Sequence, residues 1–136
     1  MKRFIGGIVI LFIVVNISYL GIAQDGTEQS GKKMQFIYVL KPIPKLLEPE
    51  NWTDRDNEIV ARHFEKLQDS LKEGRLILAG RTLNSDPSAF GIVVFEANSE
   101  AEAREIMQTD PAVKEKIMTA ELFPYRVALL RNQAEE

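Results

Sequence analysis

Two rhythms of apolar residues alternate along this chain, and together they predict its elements. Met34 to Leu40 is rich in β-branched and aromatic residues and reads as a first strand. Pro42, Pro44 and Pro49 then mark a loop, because three prolines forbid regular strand pairing. Thr53 offers an N-cap, and Asp54 and Asp56 stand where the positive end of a helix dipole favours them. The helix that follows should run to about Glu73, with Gly74 as its left-handed stop. Arg75 to Leu83 reads as a second strand. Asn84-Ser85-Asp86-Pro87 is a dense turn signal, and Ala89 to Ala97 returns as a third strand in a hairpin. Ser99 and Glu102 predict a capping box for a second helix, which turns Ala103, Ile106 and Met107 inward and ends near Thr109. Asp110-Pro111 begins a short helix, and Thr119 to Leu130 supplies a long fourth strand.

The resulting order, strand–helix–strand–strand–helix–strand, is the split βαβ arrangement of an α+β, ferredoxin-like sandwich with a four-stranded antiparallel sheet. Two helices cover only one face of such a sheet. Yet Ile92 and Val94 point one way and Val93 and Phe95 the other, and Phe36 and Tyr38 oppose Ile37 and Val39 in the same manner. A sheet with one wet face would alternate apolar and polar residues instead. The open face therefore calls for a partner, and a homodimer packed sheet on sheet is the expectation that needs no further sequence.

The ends of the chain change the picture in a different way. Lys2 and Arg3 precede an apolar run from Phe4 to about Ala23, and Gly21 and Ala23 carry the small side chains of a cleavage site. Residues 1–23 are expected to be an export signal cleaved near Ala23. The alternative is a membrane anchor formed by residues 4–23, since about 20 apolar residues suffice to span a bilayer. Residues 24–33 read as a flexible linker, 34–130 as one domain, and 131–136 as a charged tail. Removal of the signal takes Lys2 and Arg3 and no acid, so the formal charge moves from −3 to −5. An acidic domain without a basic stripe is not expected to bind nucleic acid. The absence of cysteine excludes disulfides and thiol chemistry.

The candidate chemistry centres on His63, the only histidine. On a helical wheel Val60, Phe64, Leu67 and Leu71 form the apolar stripe, and His63 falls at its margin, roughly 70° from the middle. The plain alternative is a half-buried surface histidine. A single histidine without a second histidine or cysteine is a poor metal site, so neither metal nor cofactor is expected.

The run His63-Phe64-Glu65-Lys66-Leu67 through Gly74-Arg75-Leu76-Ile77-Leu78-Ala79-Gly80, then Gly91 to Phe95, Ala103 and Asp110-Pro111-Ala112-Val113, resembles the YciI-like (YCII-related) family. The closing Leu122 to Arg126 extends the likeness. What the resemblance implies is a dimeric α+β barrel and a His–Asp active-site pair, here His63 and Asp110. Such a pair suits proton transfer, as in lyase or isomerase chemistry on a small molecule. The alternative is a non-catalytic module that binds a small ligand on the same scaffold. Locally, Asp110 before Pro111 is equally an N-cap. Arg81 stands where the family often has proline. It is a candidate for holding a substrate carboxylate, against the simpler reading of a solvated arginine. Trp52 is read as a staple at the helix start rather than the roof of a pocket. Tyr38 and Tyr125, placed on outer strands, read as core or interface residues.

Overall fold

The computed structural model describes residues 33–131, so the export signal or anchor, all of the linker but Lys33, and the tail beyond Arg131 lie outside the described residues. Strand β1 (Met34–Pro42) leads through two short 3-10 turns, Pro44–Leu47 and Pro49–Asn51, into helix α1 (Asp54–Lys72). Strands β2 (Leu76–Arg81) and β3 (Gly91–Ala97) follow, then helices α2 (Glu100–Gln108) and α3 (Pro111–Lys114), and strand β4 (Met118–Tyr125). The sheet is antiparallel with order β2-β3-β1-β4, as a ferredoxin-like fold requires. Among the described residues no helix is long and apolar enough to cross a membrane.

Local chemistry accounts for the helix ends. Thr53 caps α1 by accepting from the Asp56 backbone N–H, while the Asp56 carboxylate accepts from the Thr53 N–H at 3.0 Å. Asp56 thus closes a capping box, a stronger role than the dipole contact expected of it. Gly74, at φ 69°, ends the helix as predicted. Ser99 accepts from Glu102 N–H, but the Glu102 carboxylate reaches back to Asn98 N–H at 2.8 Å rather than to Ser99, so the predicted box closes one residue early.

Register decides which residues form the core. Phe36 lies opposite Phe95, and Tyr38 opposite Val93, on the face that α1 and α2 cover. Leu40, Leu67, Ala103 and Met107 complete that layer. The Tyr38 and Phe95 rings meet edge to face at 5.6 Å between centroids, and Phe36 meets the Phe95 ring at 6.1 Å. A smaller second core of Leu46, Ile59, Ala112 and Ile117 locks the 3-10 segment, α1 and α3 together. The open face carries Ile37 and Val39 on β1, paired with Val94 and Ile92. Leu78 and Phe123 stand exposed beside them on the outer strands.

Four readings are corrected. Tyr38 is on a central strand, because β1 pairs on both sides, and its side chain is buried beneath the helices. Pro42 continues β1 and pairs with Met118 at the strand end, where a missing N–H is tolerated. Strand β4 stops at Tyr125 rather than Leu130; its last pair is Gln35–Tyr125, and β1, which begins at Met34, has only one residue more to offer. The buried face of α1 is turned roughly 60° from the apolar stripe, so that Asp56, Ile59 and Leu67 face inward and Phe64 and Leu71 are exposed. His63 lies at the middle of that buried arc, not at its margin. Polar residues can occupy such a face when their hydrogen bonds are satisfied, and those of Asp56 and of His63 Nδ1 are.

Candidate functional site

Helix α1 carries His63 toward the junction between α2 and α3, where Asp110 forms the corner. Pro111 fixes the first helical position of α3, and Asp110 caps it by accepting from Ala112 N–H at 2.9 Å. The same carboxylate lies 2.8 Å from His63 Nδ1 through each of its oxygens. It also accepts the Tyr38 hydroxyl at 2.8 Å. The N-cap and the histidine partner are therefore one group with two jobs, and neither local reading excludes the other. An ionised carboxylate only accepts, which places the histidine proton on Nδ1 and leaves Nε2 as the basic nitrogen of the neutral ring.

Asp110 is fully buried. Burial alone would raise its pKa, but the hydrogen bond and charge of His63, the Tyr38 hydroxyl and the Ala112 N–H outweigh it and hold the carboxyl below its usual range. Burial first, then the charge of Asp110 and the bond to it, keep the Tyr38 proton far above the ordinary phenol range. Tyr38 is thus a fixed donor. It escaped the sequence reading because its partner is 72 residues away. The alternation of β1 did place it on one face with Phe36 and Leu40, but alternation alone does not say which of the two apolar faces the helices cover.

Two contacts hold α1 against this corner on either side of His63. Glu115, just beyond α3, takes ion pairs from Arg62 and from Arg55. One turn further along, the Lys66 ammonium donates to Ile106 O at 2.9 Å and Thr109 Oγ1 at 2.8 Å, at the end of α2. Partial burial pulls the Lys66 pKa down, against the opposing charge of Asp110. Neither contact leaves a local mark in the sequence.

His63 lines a cleft of about 720 Å³ between α1, the 3-10 segment and the β2–β3 end of the sheet. The His63 side chain is 13% exposed, and among the described residues nothing hydrogen-bonds to Nε2. The walls are mainly apolar, with Leu46, Trp52, Phe64 and Phe90 prominent. Trp52 both lines this cleft and ties its indole N–H to Leu46 O at 2.9 Å. It does not staple the helix, because the residue it would clasp at the fourth helical position is Asn57. Arg81 also lines the cleft, at its polar end with Thr82, Asn84 and Ser85. His63, Asp110 and Arg81 are thus brought to one region, with Asp110 behind the histidine and out of the cleft. Asp86 is a turn residue, accepting Ser88 N–H at 2.7 Å. Among the described residues no group of three or more His, Cys, Asp or Glu side chains is placed to hold a metal ion.

Comparison with known proteins adds three findings. A family model described as the YCII-related domain matches residues 34–125. No curated protein sequence matches the chain. A solved structure with the same fold is the 5-chloro-2-hydroxyhydroquinone dehydrochlorinase of Burkholderia phenoliruptrix in complex with 2,5-dihydroxybenzoquinone. The likeness has a TM-score of 0.52 at 18% identity and covers 68% of this chain and 94% of that one.

Proposed function

We propose a proton-transfer function for this chain, which belongs to the YCII-related domain family: a small-molecule enzyme of the lyase or isomerase kind that uses His63 as general base. The observation that carries this reading is the 2.8 Å contact between Asp110 and His63 Nδ1, at a histidine that lines an apolar cleft and whose Nε2 has no hydrogen-bond partner among the described residues. In this scheme Nε2 removes a proton from an activated carbon of the bound molecule. The C–H electron pair then shifts to form a double bond, either expelling a leaving group or giving an enolate. Asp110 stabilises the imidazolium so formed, and the proton is returned to product or solvent. Tyr38 and the Ala112 N–H hold the carboxylate still while this happens. The fold's occurrence in a dehydrochlorinase supports the same class of chemistry.

The test reads the ring itself. In mildly alkaline solution, ¹⁵N NMR of His63 is expected to show a dominant Nδ1–H tautomer, and Asp110→Asn should erase that preference. In parallel, small activated ketones and chlorinated hydroxyquinols incubated in deuterated water should exchange a C–H proton or release chloride in a His63-dependent manner, with His63→Gln as the inactive control. An identical tautomer in wild type and Asp110→Asn would remove the basis of the dyad. A dyad with no such chemistry, but with ligand-induced thermal stabilisation, would favour the binding-module alternative.

The open sheet face supports a homodimer as the working unit. Ile37, Val39 and Ile92 are only partly covered there, and Leu78 and Phe123 are exposed. Sedimentation of the purified protein should give twice the monomer mass at micromolar concentration, and a clean monomer under those conditions refutes the packing.

A further inference from the structure

Strand β2 carries a bulge at its start. Leu76 pairs with Phe95 on the helix-covered face, but the next pair is Leu78 with Val94, so Ile77 is the extra residue. Every side chain beyond it changes face. Ala79 opposite Val93 and Arg81 opposite Gly91 then share the face of Tyr38 and Leu40, toward the cleft. In an unbulged strand that started from the same Leu76 pairing, Arg81 would point to the open face of the sheet.

The charge around Arg81 is distinctive. Among the described residues the cleft lining includes no aspartate or glutamate, although the chain as a whole is acidic at −3. Among the described residues that line it, Arg81 is the one permanently charged side chain. Among the described residues Arg55, Arg62, Arg75 and Arg104 each pair with a glutamate, and Arg81 pairs with none. A guanidinium with no ion pair keeps its planar fork of donors free for an incoming anion, and the apolar walls beside it can hold the rest of the ligand.

We infer that the bulge aims Arg81 into the cleft as its anion-recognising group, and that the ligand is a small molecule with an apolar body and one carboxylate-like anionic substituent. Trp52, Phe64 and Phe90 take the body, and Arg81 takes the anion near Thr82 and Asn84. A cationic analogue is rejected, since nothing acidic lines the cleft to receive it. This assignment names the substrate class of the site proposed above and rests on that site being a small-molecule cleft.

The test uses benzoate and its neutral counterpart benzyl alcohol as probes of the full-length protein, followed by ¹H–¹⁵N NMR titration. Benzoate should shift the backbone amides of Arg81, Thr82 and Gly91 at millimolar concentration, and benzyl alcohol should bind about tenfold more weakly. Arg81→Gln should abolish that difference without lowering the melting temperature, because Arg81 is exposed and unpaired. Arg81→Lys should restore part of it, as a point charge lacking the planar fork. Equal binding of the two probes, the same discrimination in Arg81→Gln, or no shift in the cleft with either probe would overturn the inference. A dyad that fails its tautomer test while benzoate still binds through Arg81, or the reverse, separates the failure of one proposal from that of the other.

Discussion

Asp110→Ala is expected to be the most damaging substitution on the polar side of this fold, costing about 3–5 kcal/mol. The change strips the acceptor from three donors at once: the Tyr38 hydroxyl, His63 Nδ1–H and the Ala112 N–H. Each buried donor left without a partner carries its own desolvation cost of about 1–3 kcal/mol, and α3 loses its cap as well. A domain of this size has only about 5–15 kcal/mol to lose. Tyr38→Phe removes a single donor to a charged acceptor and should cost about 1.5–3 kcal/mol. Chemical denaturation of the two variants measures the contrast, and a neutral Asp110→Ala would show that the carboxylate is not held as described.

The same group should shape the acid limb of stability. The folded carboxyl binds its proton less tightly than in the unfolded chain. On acidification the unfolded state therefore takes up protons first. The stabilisation from Asp110 is complete above its ordinary pKa of about 4, and it is lost as pH falls below that value toward the lower folded one. Asp110→Asn should flatten this part of the stability–pH curve. An unchanged acid limb in that variant would count against the arrangement.

Phe95→Ala is expected to cost about 3–5 kcal/mol, as a large aromatic lost from a core that cannot collapse around it. Phe95 is 1% exposed at the centre of the sheet, against both Phe36 and Tyr38. The urea midpoint should fall steeply with an unchanged slope, the mark of altered stability rather than an altered unfolded state. The cavity would also leave the Tyr38 ring unsupported on that side, so the Nδ1–H preference of His63 should weaken in the folded fraction. Leu83→Ala, at a residue 90% exposed, is the matched control and should stay within about 0.5 kcal/mol of wild type.

The elements of this fold were legible because their signals are short-range. Thr53, Gly74, Ser99 and Pro111 act within a turn of where they stand, and each marks a helix end in the structure. Strand alternation likewise foretold two apolar faces, since side-chain direction in a strand follows from position alone. The orientation of α1 was not legible. A wheel that counts apolar residues places Phe64 and Leu71 inward, whereas packing turned Asp56 and His63 inward and left those two exposed. Buried polar residues look like surface residues until their partners are known.

Local chemistry by itself determined the order of elements, the α+β class and the uncovered second face of the sheet. Family likeness paired His63 with Asp110. Only the tertiary structure decided how that pair is built. The contacts that build it join residues 47 and 72 positions apart, and they exist only after β1, α1 and α3 have packed. Packing made one carboxylate serve as cap and as histidine partner, and it brought Tyr38 to that carboxylate from a central strand. It also placed a bulge in β2 that turned Arg81 from one face of the sheet to the other. A one-residue slip in pairing changes no residue in the sequence, yet it reverses every side chain that follows.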